Sequence, residues 1–345
     1  MLNASSAEHA VVGDGELSAL FSDFENFRRV ILAVSGGPDS TALMLLAKRW
    51  QDRRPRSPEL VAATIDHRLR RESKTESAVV AKLAKKLGLR HRTLVWSGKK
   101  PKTGLQQAAR EARYRLLVGL AQKLKADAIA TAHTLDDQAE TILMRLARGS
   151  GLSGLAGIRR RSEREGVTLA RPFLKLPKTR LLATLKKAGI AFAEDPTNRD
   201  PRFARPRLRR IAGVLAEEGL DAARLAGLAK RFARADAALA ATVDAAQSHV
   251  LLSASADGRT TDFNAAALFT FPSEIAIRLL GRAIDRIGDE GPVELGKLES
   301  LYEALADSYA AGRRLKRTLA GAAIALMGSR LSVARAPARR ARRPR

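Results

Sequence analysis

The chain has 345 residues, enough for two domains, and carries 62 Lys and Arg against 36 Asp and Glu, a formal net charge of +26. It holds no cysteine, which excludes disulfides, thiolate nucleophiles, cysteine-ligated zinc and iron–sulfur clusters. No apolar run is long enough to span a bilayer, and Met1–Phe21 has acidic residues but no apolar secretory core. The expectation is therefore a cytoplasmic protein with no membrane contact and a polyanionic partner.

In chain order, residues 1–27 form an N-terminal extension. The apolar run Arg29-Val-Ile-Leu-Ala-Val34 predicts a strand, ended by Ser35-Gly-Gly-Pro-Asp-Ser40. Thr41 to Trp50 reads as a helix with a wide apolar face. Leu60 to Ile65 predicts a second strand, and Glu72 to Leu87 a helix closed by Gly88 as a left-handed cap. Arg92 to Trp96, Asp127 to Ala132 and Val167 to Arg171 predict three more strands. Between and after them, Leu105 to Leu124, Asp136 to Arg148 and Lys178 to Lys187 predict helices. Apolar strands alternating with helices imply an α/β fold: a doubly wound, mostly parallel sheet with helices on both faces.

Composition shifts after Arg210. Residues 211–250 are rich in Ala, Leu and Arg without β-branched runs, and read as helices, as do Pro272 to Ile287 and Val293 to Ala311. Arg317 to Leu326 and Arg330 to Ala334 read as a small terminal hairpin around Gly328. The expected division is thus 28–210 as the α/β domain, 211–312 as a mainly helical domain, 313–336 as the hairpin region and 337–345 as a basic tail, disordered until bound. Positive charge is concentrated. Arg199–Arg210 carries six arginines and one aspartate, and Arg335–Arg345 six arginines and no acid. With few aromatic residues to stack bases, such a surface suits nucleic-acid phosphates. An arginine-biased genome is the plainer reading of the charge.

Ser35-Gly-Gly-Pro-Asp-Ser40 carries the most chemistry. Two glycines after a strand let the backbone turn tightly and approach a ligand. The helix start that follows offers N–H donors and a dipole favouring an anion. Ser35 and Ser40 add hydroxyls. Asp39 would repel a phosphate unless Mg²⁺ lay between them. No GxxxxGK[ST] element is present, so this is not a Walker A loop. A glycine pair alone is also what an ordinary turn contains. His133, Asp136 and Asp137 follow the fourth strand and so fall on the same sheet edge, where ligands of such sheets bind. The two carboxylates also suit plain helix capping, and His133 a buried, hydrogen-bonded core histidine. Arg110 and Arg113 lie three apart on one helical face, which reads equally as a solvated face.

The string SGGxDS in a strand–loop–helix context resembles the PP-loop of the N-type ATP pyrophosphatases, with their adenine nucleotide α-hydrolase-like fold. Further strings follow in order: Asp66-His-Arg-Leu-Arg-Arg-Glu-Ser73, Ala109-Arg-Glu-Ala-Arg-Tyr114, Ala132-His-Thr-Leu-Asp-Asp-Gln-Ala-Glu-Thr141, Arg145-Leu-Ala-Arg-Gly-Ser-Gly-Leu-Ser-Gly-Leu155, Glu194-Asp-Pro-Thr-Asn198 and Phe203-Ala-Arg205. Together they resemble the tRNA(Ile)-lysidine synthetase family over roughly residues 28–210. That resemblance implies ATP as cosubstrate and L-lysine as the ligated amino acid. It also implies a CAU-anticodon tRNA(Ile) as partner, whose wobble cytidine is adenylated at its C2 oxygen and then attacked by the lysine ε-amine.

The resemblance makes Ser35, Gly36, Gly37, Pro38, Asp39 and Ser40 the ATP-binding residues. Asp39 and Asp137 become candidate Mg²⁺ ligands, and Asp39, Asp137, His133 and Asp136 candidate catalytic residues. Arg110, Arg113, Arg145, Arg199, Arg205 and Arg209 become candidate tRNA or substrate contacts, with the helical half binding tRNA and a homodimer conceivable. At pH 7 only about one lysine side chain in 2,500 is neutral, so deprotonation costs about 4.6 kcal/mol that the site must offset by a base or by desolvation. This sequence departs from the family where Arg68 replaces a glycine, Thr134 a second histidine and Pro206 an asparagine. Sulfur-transferring relatives need the cysteines this chain lacks. Amidotransferase-linked relatives need an ammonia source that is not evident, and an inactive RNA-binding relic would not need Ser35, Asp39, Ser40 and Asp137.

Overall fold

The computed structural model describes residues 10–68, 73–101, 103–193 and 204–337, with 73, 74 and 204–206 described by backbone alone. The chain divides into two compact units, Met1–Arg148 with Ala156–Lys230, and Gly149–Leu155 with Arg231–Arg345.

The first unit is built on strands β1 (Arg29–Ala33), β2 (Glu59–Asp66), β3 (Arg90–Val95), β4 (Ala128–Ala130), β5 (Arg161–Arg164) and β6 (Val167–Ala170), in the order β3-β2-β1-β4-β6-β5. All pairings are parallel except β5 with β6. Central β1 is buried on both faces, as its unbroken apolar run requires. Val30 and Leu32 pack with α1 (Pro38–Gln51), α2 (Ser73–Lys86) and α5 (Lys178–Lys187). Ile31 turns to the opposite face and packs on α3 (Leu105–Leu124). Helices α4 (Leu135–Leu146) and α6 (Ala204–Glu217) belong to the same unit, with a short helix over Leu17–Leu20. Gly88 closes α2 at φ +68°, with Leu89 N–H donating to the Ala84 carbonyl, the cap expected of it.

Two features differ from expectation. The N-terminal extension is core from Val12 onward: Leu17, Phe21 and Phe24 are buried, and Phe21 packs on Phe24, Trp50 and Phe173 with ring centroids 5.2–6.0 Å apart. Strand β5, Arg-Ser-Glu-Arg, has no apolar signal. It is an edge strand made by the hairpin Glu165-Gly166, both residues at positive φ.

The second unit contains most of the long helix α7 (Ala222–Val250), followed by β7 (Leu251–Ala254), β8 (Thr260–Asn264), α8 (Ala265–Thr270), α9 (Ser273–Ile287) and α10 (Leu295–Ala310). It closes with β9 (Leu315–Leu319), β10 (Ala322–Met327) and β11 (Arg330–Arg335). Ile275, Leu279, Leu280, Ala283, Ile284 and Ile287 make one apolar stripe on α9. They share a core with Ala322, Ile324, Leu326, Leu331 and Val333, alternate residues of β10 and β11. The hairpin around Gly328 is present, but within a five-stranded antiparallel sheet ordered β7-β8-β11-β10-β9. The single strand expected over Arg317 to Leu326 is broken by a turn at Ala320-Gly321, where both residues have positive φ. Alanine rarely takes that conformation, so Gly321 alone is a weak turn signal within an apolar run. Among the described residues no helix is long and apolar enough to cross a membrane.

Candidate active site

The chain runs from β1 outward to β2 and β3, then returns to β4 on the other side of β1. The carboxyl ends of β1 and β4 therefore flank the switch point, where a doubly wound sheet opens a crevice for a ligand. Ser35–Ser40 leaves β1 there, and His133–Asp137 leaves β4 beside it.

In the loop, Gly36 takes φ +90°, and a Cβ at this position would lie 3.3 Å from Val80. A side chain there would be both strained and crowded, which explains the glycine. Gly37 is the extended N-cap of α1, and Pro38 fills its first position, where no N–H is required. Ser35 N–H donates to Ser40 Oγ at 3.1 Å, the two hydroxyls lie 3.1 Å apart, and Ala193 N–H donates to the Gly36 carbonyl at 2.9 Å. The loop is held from both sides, and the first-turn N–H groups of α1 remain without helical acceptors.

Asp39 lies in that first turn. Burial pushes its carboxyl up, opposed chiefly by Lys178, whose Nζ sits 3.2 Å from Oδ2; Asp137 and Asp136 push it further up. Oδ1 is buried with no hydrogen-bond partner. A buried, unpaired carboxylate oxygen beside an anion-binding loop fits a hard divalent cation. No group of three or more His, Asp or Glu positioned to hold a metal is found among the described residues, so phosphate oxygens or water would complete the shell.

Asp137 forms a capping box with Thr134: its Oδ2 accepts from Thr134 N–H at 2.8 Å and from Oγ1 at 3.0 Å, while its own N–H donates to Thr134 Oγ1. Threonine in place of the family's histidine is thus the N-cap of α4. Asp136 caps a different helix, accepting the Lys178 N–H of α5 at 2.8 Å. Capping and a place in the site coexist in this pair. His133, its Nδ1 2.9 Å from Thr131 Oγ1, is brought down to about 4. Burial is the main cause; Asp137 opposes it, and Arg113, Arg171 and Arg110 add to it. It is a neutral imidazole at neutral pH.

Arg110 is exposed and Arg113 half-buried, and both turn to one aromatic ring. Both guanidiniums lie over the Tyr114 ring, at 5.1 and 5.7 Å, with Arg164 at 5.1 Å. Burial opposes ionisation of the phenol, but Arg113, Arg110 and Arg171 bring it below its ordinary value. Arg113 Nε and His67 Nδ1 are buried and unpaired. His67 stands edge-on to Trp96 at the end of β2, and burial, Arg113 and Lys100 lower its affinity for a proton. Arg68 follows at φ +50°, the conformation glycine takes freely, steadied by its N–H donating to Asp66 Oδ1 at 2.9 Å.

Arg145 Nη1 donates to the Gly157 carbonyl at 3.0 Å, and Gln138 pairs its amide with both backbone groups of Ile158, so this turn is pinned to α4. Arg209 is ion-paired with buried Glu140; burial works against its charge, but Glu140, Asp137 and Asp39 hold it. Arg199 lies outside the described residues, as does the Arg205 side chain. Sequence reasoning missed Lys178, Arg171 and Gln138. Their signals are the Arg-Pro following a strand, the lysine opening a helix and an amide amid an acidic helix start, none of them specific alone.

A strand, glycine loop and helix at a switch point, with no Walker lysine, define a PP-loop nucleotide site, and a family model for the PP-loop domain matches residues 12–215. The tRNA(Ile)-lysidine synthase of Rhodopseudomonas palustris is 54% identical, covering 98% of this chain and 99% of the relative. The tRNA(Ile)-lysidine synthase of Bradyrhizobium diazoefficiens is 50% identical over 97% and 98%. Among solved structures, the U34-tRNA thiolase of Methanococcus maripaludis with its [4Fe-4S] cluster superposes with a TM-score of 0.54 at 17% identity, covering 64% of this chain and 77% of that one. It shares the fold; this chain has no cysteine for a cluster. The chain belongs to the tRNA(Ile)-lysidine synthase family of ATP-using PP-loop enzymes.

Proposed function

We propose that this enzyme joins L-lysine to C2 of the wobble cytidine of CAU-anticodon tRNA(Ile), through an adenylated cytidine, releasing pyrophosphate and then AMP. The observation that carries the reading is the Ser35–Ser40 loop, with its Asp39, set beside Asp137 and His133 at the switch point.

Cytosine C2 is a poor electrophile and its oxygen a poor leaving group; adenylation remedies both. The N–H groups of the glycine loop and the Ser35 and Ser40 hydroxyls hold the β,γ-phosphates and leave the α-phosphorus to the cytidine oxygen. A Mg²⁺ ion held by Asp39 Oδ1, with Asp137 as second carboxylate, would screen the triphosphate and polarise its oxygens. The target base sits in an anticodon loop, where little pairing opposes its extrusion. Lysine must attack as a neutral amine. His133, with a value near 4, is too weak a base to hold that proton. Burial, the main cause of the low His133 value, disfavours an ammonium in the same way. The guanidiniums of Arg113, Arg171 and Arg110 add to it against Asp137, so the amine is to lose its proton chiefly by desolvation. Arg199, Arg205 and the basic tail supply cations for tRNA phosphates, and the substrates place the work in the cytoplasm.

The test is mass spectrometry of tRNA(Ile) after incubation with ATP and isotopically labelled lysine. The labelled lysine mass should be found on the wobble cytidine, with pyrophosphate release dependent on tRNA(Ile). Release indifferent to tRNA identity overturns the reading.

A further inference from the structure

Lys178 opens α5, and its position is fixed by Pro177 before it and by its N–H on Asp136 Oδ2. Its side chain is a third exposed, and its ammonium pairs with Asp39 in the first turn of the phosphate loop. The backbone is anchored while the four-carbon stem keeps its freedom. The Ser35–Ser40 loop has no lysine of its own. A carboxylate in a phosphate loop repels an incoming triphosphate, and here that carboxylate is masked by an ammonium rooted on another helix.

We propose that Lys178 is a phosphate-binding residue: it neutralises Asp39 in the nucleotide-free enzyme and passes its ammonium to the β,γ-phosphates when ATP and its cation engage the Asp39 carboxylate. The inference rests on the ATP-dependent adenylation proposed above. In that step the cytidine C2 oxygen bonds to the α-phosphorus. The α–β bridging oxygen leaves with the bonding pair, so negative charge gathers on pyrophosphate. No proton is needed from Lys178; its ammonium balances that charge where it develops. Asp136, by holding the Lys178 backbone, is a positioning residue for it.

The experiment compares the full-length enzyme with Lys178→Met and Lys178→Arg. It measures binding of α,β-methylene-ATP with Mg²⁺ by calorimetry, tRNA(Ile)-dependent pyrophosphate release, tRNA affinity and thermal midpoint. Lys178→Met should bind the analogue about tenfold more weakly and release pyrophosphate about a hundredfold more slowly, at unchanged tRNA affinity. Lys178→Arg should stay within about threefold of the parent in analogue binding. The proposal is overturned if Lys178→Met binds the analogue as the parent does. It is equally overturned if Lys178→Arg restores the thermal midpoint but not nucleotide affinity, since Lys178 would then serve only to seat α5. Failure of the adenylation reading shows separately, as no pyrophosphate from the parent enzyme; the analogue titration still reports on Lys178.

Discussion

The two ends of the parallel sheet treat charge in opposite ways. At the amino ends of the strands, Asp127 accepts the N–H groups of Arg28 and Arg29 at 2.7 and 3.0 Å. Arg29 and Arg90 share Glu59, and Arg29 also donates to the Leu124 carbonyl. Each carboxylate there has an arginine beside it, although Glu59 Oε1 is buried without a hydrogen bond of regular geometry. At the carboxyl ends, Asp39 Oδ1, His67 Nδ1 and Arg113 Nε are buried and unpaired, and His133 is held neutral. Leaving buried polar atoms unmatched is destabilising, so these three, next to the phosphate loop's sheet edge, mark where a ligand completes the set. Substitutions at the carboxyl edge should cost chemistry, and those at the amino edge stability.

The largest expected effect is at Asp39. Asp39→Ala should lower pyrophosphate release by about a thousandfold while leaving the thermal midpoint equal or higher, because it removes a buried, imperfectly paired charge. An active variant would remove Asp39 from the chemistry. His133 comes next. The folded state keeps its imidazole neutral down to about pH 4, whereas an unfolded histidine gains its proton near 6.5. This contribution is complete above pH 6.5 and is lost as pH falls from 6.5 towards 4, up to about 3 kcal/mol. Urea unfolding at pH 7 and pH 5 should show His133→Gln with a flatter pH dependence than the parent; equal slopes would refute the burial argument.

At the other edge, burial works against the Asp127 charge, but the Arg29 and Arg28 N–H groups and the Arg28 guanidinium outweigh it and keep the carboxyl low. Asp127→Ala should cost about 1–3 kcal/mol in denaturant unfolding and leave turnover within about twofold. A turnover loss without a stability loss would break the comparison. The smallest effect is at Arg68. Arg68→Gly relieves the left-handed strain but loosens the unfolded chain, for a net gain of about 0.5 kcal/mol. A destabilised variant would mean that the Arg68 side chain carries a contact of its own.

Much of this was legible in the residues. Unbroken apolar runs identify strands buried on both faces, and a glycine pair between strand and helix locates the phosphate loop at their carboxyl ends. What escaped has physical reasons. Lys178 meets Asp39 only through the packing of α5 beside α1, and one lysine at a helix start has no local signature. The RSER strand hides because an edge strand needs no apolar alternation. The Ala320 turn hides because alanine seldom adopts that backbone. Asp136 and Asp137 could be read as caps or as site residues; the structure shows capping by both, within electrostatic reach of Asp39.

The buried beginning of the chain has a consequence for its birth on the ribosome. Phe21 meets Phe24 and Trp50 early but lacks Phe173 until that residue has been synthesised, and Val12 N–H lacks Thr184 Oγ1 until the α5 segment emerges. The Gly36 carbonyl has the Thr41 hydroxyl at once but waits longer still for the Ala193 N–H. The Phe21–Phe24–Trp50 cluster is therefore left open on its Phe173 side through most of this unit's translation. Any chaperone that shields it would have its longest engagement with those first residues.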